Sequence, residues 1–599
     1  MTQPGEPYRV AADTVRNFDV RLWGGALRHS LAWVGHYKRE YLPSDTIAGL
    51  TVAIMLIPQS MAYAALAGLD PIVGLYASIV PVFVYGLLGS TGIMTLGPTA
   101  ITSVMTLSVI APLAADRPDA APAFALTLAL LLGGVYIMMG LFRLGFLVNL
   151  LSQPVLIGYV NAAAIIIAVS QLQHLLGVSF DSSPLPHILL WRTLRALPQT
   201  NPATLLTGVG AIGLLLAVRH RLDPLLARLK MGAMARFTLT RSGPLLAALL
   251  GTLLVYLLQL DTIADVAVVG AIPRGLPALT FGFDWTHWQT LLLGAVAIAF
   301  VGFMEDISTA RSLLDQRNQT LNSNQELLAM GAANIGAALT GGLPVTTSIS
   351  RSAVNHAAGA KTGLASMIAA GVLLLTVLFL TPVFYYLPRS VLAAIILTSV
   401  VNLIRPGAFV HLWRYSHTET AIALVTVIGV FFFNIQFGIL TGVALMVALY
   451  IYRSARPPIV ELGRCGYSTQ YDDVRHEDVV QIPHVLILKI DESLYFANAQ
   501  YLDQYLRDVV AQRDGLTDLV LECSAINTID ASAAQLLVAL VQDFRNVNLN
   551  VYIVGLKSRV YSKLAVGDLQ SRMGDGHFFK TTHEAILATK QLIDDELPI

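Results

Sequence analysis

Long, almost uninterrupted apolar blocks recur along this chain, and they restrict its fold more than any other feature. "LLLGAVAIAFVGF" (291–303) and "AIALVTVIGVFFF" (421–433) are examples. Many such blocks approach the ~20 residues a helix needs to cross a bilayer. In water they would leave large greasy faces uncovered. Composition agrees: 55% of the 599 residues are hydrophobic and 13% charged, with mean hydropathy +0.64. Soluble domains carry about 25% charged residues. The fold class expected is a polytopic α-helical membrane protein embedded in a lipid bilayer.

Charge is unevenly shared. Residues 457–599 hold 12 Lys/Arg and 20 Asp/Glu, whereas residues 1–456 hold 26 and 18. The change falls at "ARPPIV" (455–460) and marks a domain boundary. The division expected is an N-terminal segment at 1–45, a membrane body at 46–456, a linker at 457–480 and a soluble α/β tail at 481–599. No short greasy run ending in a small-residue cleavage site opens the chain, so no cleavable signal is expected. Cys465 and Cys523 are too few for a disulfide framework and lack metal-ligand spacing. No metal site and no cofactor is expected.

About fourteen spans are expected in the body, two of them weak. They begin near Thr46, Pro71, Pro98, Ala123, Gln153, Ala203, Gly243, His287, Gln325, Ser348, Lys361, Pro388, His417 and Ile435. Even-numbered exits are basic: Arg143, the run "RHRLDPLLARLKMGAMARFTLTR" (219–241), Arg311 with Arg317, and Arg453 with Arg456. By the positive-inside rule both termini face the cytoplasm. Arg192, Arg195 and Arg274 fall on the other side, so the orientation is a majority vote.

The third and tenth spans share an anomaly. "GIMTLGPTAITSVMTLSVIAP" (92–112) places Gly97-Pro98 before Thr99, Thr102 and Ser103. The tenth places Pro344 before Thr346, Thr347, Ser348, Ser350 and Arg351. Each reads as an extended lead-in followed by a half-length helix. Paired interrupted segments at matching ordinals of two seven-span halves point to an inverted repeat with a site near the midplane. Half-helix N-termini there offer unpaired N–H groups and a positive dipole end, which suits an anion. An arginine at that depth is expected to face a cavity; the competing reading is helix packing with a snorkelling arginine.

At these residues the chain resembles the sulfate permease (SulP) family of anion transporters, the bacterial relatives of solute carrier family 26. "IPQSMAYAALAGLDPIVGLYASIVPVFVYGLLG" (57–89) is similar to the family's first two spans, "LGPTAITSVM" (96–105) to its third, and "PVTTSISRSAVNHAAGAKTGLA" (344–365) to its tenth. The acidic tail resembles the family's STAS domain. The resemblance implies a 7+7 inverted repeat divided into core and gate domains, a homodimer, and anion movement by an elevator-type alternation. It places Gln59, Tyr63, Thr99, Ser350 and Arg351 at the anion. Gln59 and Tyr63, four residues apart, share one helix face; for each, packing between helices is an equally good reading. Glu305, in "FVGFMEDISTARSL" (300–313), stands at the family's acidic position, where a carboxylate can accompany the anion with a proton. A solvated place at the membrane interface is its alternative, and Asp306 is expected at the cytoplasmic end near Arg311.

In the tail, "HVLILKIDESLYFAN" (484–498), "LTDLVLECSAI" (516–526) and "LNVYIVGL" (549–556) contain strands, and "ASAAQLLVALVQDFR" and "TTHEAILATKQLI" are helices. The latter opens with a Thr581/Glu584 capping box. In "NTIDASAAQLL" (527–537) Ala531 fills the place where signalling relatives keep a phosphorylatable serine, which favours docking or assembly over a phosphoswitch.

The function expected is secondary active transport of a small anion across the cell membrane, with sulfate first and bicarbonate, chloride or dicarboxylate as alternatives. H+, Na+ or a second anion would drive it. No phosphate-binding loop or catalytic constellation is present in the sequence, so neither an enzyme nor an ATP-driven pump is expected, and no nucleic-acid partner. A neutral-solute permease fits Arg351 poorly. An anion-responsive sensor signalling through the tail is the rival from another class.

Overall fold

In the computed structural model the residues described are 33–146, 152–179, 186–273, 275–276, 279–314, 321–433, 435–466, 468–476, 478–566 and 577–589. Most of the N-terminal segment expected at 1–45, together with Arg274 and Arg317, lies outside them. The chain divides into two compact units, residues 1–446 and 447–599.

The first unit is helical. The helices that matter below are α1 (Leu42–Leu66), α2 (Val80–Leu88), α3 (Ala100–Leu113), α4 (Ala121–Leu141), α5 (Gln153–Leu176), α6 (Trp288–Leu314), α7 (Ser323–Leu339), α8 (Ile349–Ala357), α9 (Leu364–Leu375) and α10 (Arg389–Val400). Their apolar residues alternate with Gly, Ala, Ser and Thr, which allow backbones to approach where no hydrophobic effect drives association. A side chain added at Gly133 of α4 would lie 2.9 Å from the Gly331 carbonyl of α7, and one at Gly331 would lie 2.9 Å from the Gly133 carbonyl. The two helices cross on these glycines.

Among the described residues, eight helices are long and apolar enough to cross a bilayer. The bent pair Ala233–Arg241 and Gly243–Leu258 would make a ninth. Ala100–Leu113, Arg389–Val400 and His417–Phe432 are apolar but shorter. Fourteen full-length crossings are therefore not seen. Helices do begin near the expected starts, but several stop early, as half-helices must.

Both anomalous segments have extended lead-ins. Leu96–Gly97 (β1) and Thr346–Thr347 (β2) pair antiparallel, Leu96 opposite Thr347 and Gly97 opposite Thr346. Helix α3 starts three residues after β1 and α8 two residues after β2.

The second unit is a seven-stranded sheet in the order β4-β3-β6-β7-β8-β9, with β5 also on β3. Its strands are β3 (Ile459–Cys465), β4 (Tyr471–Asp473), β5 (Val479–Val480), β6 (Val485–Ile490), β7 (Asp518–Glu522), β8 (Asn550–Val554) and β9 (Phe578–Phe579). From β6 to β9 the pairing is parallel. Strands β6, β7 and β8 are nearly continuous apolar runs because helices cover a parallel sheet on its faces. Helices α11 (Phe496–Ala511) and α12 (Ala531–Asn546) pack on the sheet's larger core, and α13 (Thr582–Ala588) closes the smaller one. Thr581 and Glu584 form the expected capping box. The stretch 457–480, expected as a linker, is corrected: it supplies β3, β4 and β5. β3 pairs with β6, and the two- and three-residue strands β5 and β4 pair with β3, so the pairing reveals them rather than any local pattern.

Candidate functional site

The two half-helix N-termini meet at a cluster of hydroxyls. Thr99 is the N-cap of α3, its Oγ1 accepting from the Thr102 N–H at 3.3 Å. Ser348 is the N-cap of α8, its Oγ accepting from the Arg351 N–H at 3.5 Å. A side-chain oxygen at an N-cap satisfies one of the donors that a helix start leaves free. The Thr346 hydroxyl joins the halves, 2.7 Å from that of Thr102 and 3.2 Å from that of Thr99. The β1–β2 pairing holds the two ends in this register.

Arg351 is 1% exposed. Its Nη1 donates to the Pro98 carbonyl at 3.0 Å, so its guanidinium crosses from α8 to the lead-in of α3. Gly97, at φ +150°, leaves room for it: an added Cβ would lie 3.2 Å from Arg351 Nη2. Nε and Nη2 have no hydrogen-bond partner, and among the described residues no carboxylate pairs with Arg351. The charge is buried and uncompensated, which suits an incoming anion.

Gln59 and Tyr63 lie on one face of α1, 4% and 6% exposed. Pro58, inside α1, removes one backbone N–H just before them. Gln59 Oε1 is buried without a donor. The Tyr63 hydroxyl interacts with Arg351 and with Ser399 of α10, which brings α1, α8 and α10 to one place. Ser350 is exposed in the first turn of α8, 3.5 Å from the Ser348 hydroxyl. The residue matching Thr99 is therefore Ser348, because the cap is set by which oxygen reaches the N–H three residues on, not by hydroxyl content.

Glu305 is buried in α6, a helix that packs on α3, α8 and β2. Its side chain interacts with Tyr159 of α5 and Tyr136 of α4, and its carbonyl accepts from Thr309 Oγ1 at 2.6 Å. Asp306 corrects its expectation. It is 0% exposed, and its charged neighbour from another helix is Glu326, not Arg311. A helix position two-thirds of the way along an apolar span can face the bundle, and hydropathy cannot distinguish that from the interface.

Thr102, Thr346, Ser348, Ser399 and Tyr159 were not singled out from sequence as site residues. The hydroxyl-rich lead-ins signalled the first three; nothing local signals Ser399 or Tyr159, which only tertiary packing brings in. Among the described residues, no group of three or more His, Cys, Asp or Glu could hold a metal.

The sulfate permease family model matches residues 42–426, and the STAS domain model matches residues 477–585. The chain is 32% identical to the chloroplastic sulfate transporter 4.1 of Arabidopsis thaliana, over 95% of this chain and 84% of that protein. It is 34% identical to a probable sulfate transporter of Mycobacterium tuberculosis, over 93% and 96% of the respective chains. Murine Solute Carrier 26 family member A9, an anion transporter solved in the inward-facing state, superposes with TM-score 0.86 at 23% identity, covering 97% of each chain. The transmembrane domain of the cyanobacterial bicarbonate transporter BicA gives 0.57 at 25% identity, over 68% of this chain and 98% of that one.

Proposed function

Because the chain belongs to the sulfate permease family and carries a STAS domain, we propose that it is a secondary transporter of small oxyanions, with sulfate as its first substrate. One observation carries this reading: two half-helix N-termini joined by β1–β2, with the uncompensated Arg351 guanidinium beside them. Dipole ends, hydroxyl donors and one cation offer an anion what water would otherwise supply. Sulfate is preferred over bicarbonate, chloride and dicarboxylates because the relatives above are named a sulfate transporter and a probable sulfate transporter.

In this reading Gln59, Tyr63, Thr99, Ser350 and Arg351 bind the anion, with Ser348 and Thr346 shaping its cradle. The half-helices count as spans, giving fourteen in two inverted halves. A core containing α1, α3, α6 and α8 moves against a gate containing α10, in an elevator-type alternation. The tyrosine–serine contact between α1 and α10 is where such a movement would open the site. The protein sits as a homodimer in the cell membrane, with its N-terminus and STAS domain cytoplasmic; that side follows from the basic loops. Glu305 carries the coupling proton.

Counterflow of radiolabelled sulfate into proteoliposomes tests the reading. Accumulation that unlabelled sulfate competes away, and bicarbonate, chloride and a dicarboxylate compete less well, is the expected result. Binding without counterflow would favour an anion-responsive sensor.

A further inference from the structure

Thr346 and Thr347 follow one another on β2, so their side chains leave opposite faces. Thr346 joins the hydroxyl cluster of α3. Thr347 lies on the Asp306 side, its hydroxyl beside that carboxyl. Behind the β1–β2 pairing there is thus a second buried polar cluster, with side chains from α2, α4, α6 and α7. Glu326 of α7, 0% exposed, accepts from Tyr85 OH at 2.8 Å, from the Ser90 N–H at 3.1 Å and from Ser90 Oγ at 2.5 Å. Those three donors suit an ionised carboxylate. Asp306 is equally buried, and neither of its oxygens accepts a hydrogen bond. Two further buried hydroxyls without hydrogen-bond partners belong to this cluster. One is Thr347 Oγ1; the other is that of Tyr136, which lies 2.5 Å from where Gly302, one turn before Asp306, would carry a Cβ.

The titratable groups around Asp306 are Glu326 from α7, Tyr85 from α2, Tyr136 from α4 and Glu305 on its own helix. All are acids. An ionised Asp306 would place a second negative charge near Glu326, away from water.

We propose that Asp306 holds a resident proton, so that Asp306 and Glu326 form a proton site behind the β1–β2 pairing, distinct from Glu305. The proton sits on a carboxyl oxygen of Asp306, beside the Thr347 and Tyr136 hydroxyls, whose lone pairs are free to accept it. The proposal holds whether or not Glu305 couples transport to protons.

Infrared difference spectra of the full-length protein in proteoliposomes read this directly, because an un-ionised carboxyl has a carbonyl band that a carboxylate lacks. At neutral pH such a band should vanish in Asp306→Asn and persist in Glu305→Gln. If no band is lost in Asp306→Asn the proposal is overturned, as it is if sodium abolishes the Asp306-dependent band in the wild type, which would mark a metal cation instead. Should Asp306→Asn fail to fold, Glu326→Gln provides the second arm: the band should remain but shift, since its neighbour's charge is gone. An unshifted band would equally overturn it.

Discussion

A guanidinium buried to 1% exposure and, among the described residues, hydrogen-bonded to the Pro98 carbonyl alone is kept at a cost, which in the proposed reading a bound anion offsets. Arg351→Lys retains the charge but not the planar fork that can hold Pro98 and an oxyanion together. Half-saturating sulfate should rise tenfold or more, about 1.4 kcal/mol per factor of ten, with folding preserved. Arg351→Ala should lose uptake while inserting normally. Uptake equal to wild type in a well-expressed Arg351→Ala would return the residue to a packing role. Glu305 makes a separate case. In proton-coupled transport, wild-type uptake rises as the outside is made more acidic. Glu305→Gln keeps the shape and hydrogen bonding of the protonated acid, so it should bind sulfate yet show uptake flat with imposed pH gradients. A wild type driven by sodium and indifferent to pH would remove the proton from this account.

Between helices, glycine positions decide what can change. An added Cβ at Gly363, at the start of α9, would lie 1.8 Å from the Gly86 carbonyl of α2, whereas one at Gly134 of α4 meets nothing within 4 Å. Overpacking costs about 1–3 kcal/mol where side chains can yield; here the obstacle is backbone. Gly363→Ala should therefore fall at the upper end or fail to fold, and Gly134→Ala should melt like wild type, as thermal unfolding in detergent would show. The same distinction explains how much was legible beforehand. Hydropathy, together with the Gly-Pro lead-ins at 97–98 and around 344, was enough to place both half-helices, since breaking a helix is a local act. That they pair as Leu96 with Thr347 is a contact across 251 positions, and no local pattern encodes it. The cap at Ser348 was visible as a hydroxyl but not as the one in register. Asp306 shows the same limit, its burial being set by packing against α2, α4 and α7.

At the scale of the whole chain, the division at the end of the membrane body sets where it can be cut. Strand β3 pairs with β6 through Ile459–Ile490 and Leu462–Ile487. A truncation after residue 469 would leave β3 with its partner strand gone, an exposed edge that invites aggregation. Ending at Arg456 should give a monodisperse, sulfate-binding body by size exclusion, and ending at 469 a less soluble one. Residues 457–599 bury two apolar clusters of their own and should fold alone. Their stability should carry a histidine's signature. His577 stacks on Tyr552, its Nδ1 lies 3.0 Å from the Val551 carbonyl and its Nε2 2.6 Å from Arg545 Nη2. An arginine only donates, so Nε2 accepts and the ring is neutral, donating through Nδ1. Burial first, then the Arg545 charge, lower its affinity for a proton below that of an ordinary histidine. The unfolded chain then binds the proton more readily, so this stability is complete above about pH 6.5 and drains away as pH falls below it. Asp473, pulled down to about 2 chiefly by its hydrogen bonds from Arg475, loses its contribution only below about pH 4, leaving the window between to His577. Urea unfolding of residues 457–599 should show a midpoint that declines from about pH 7 to 5, and His577→Gln should flatten that decline. An equal slope in the variant would assign the pH dependence to another group.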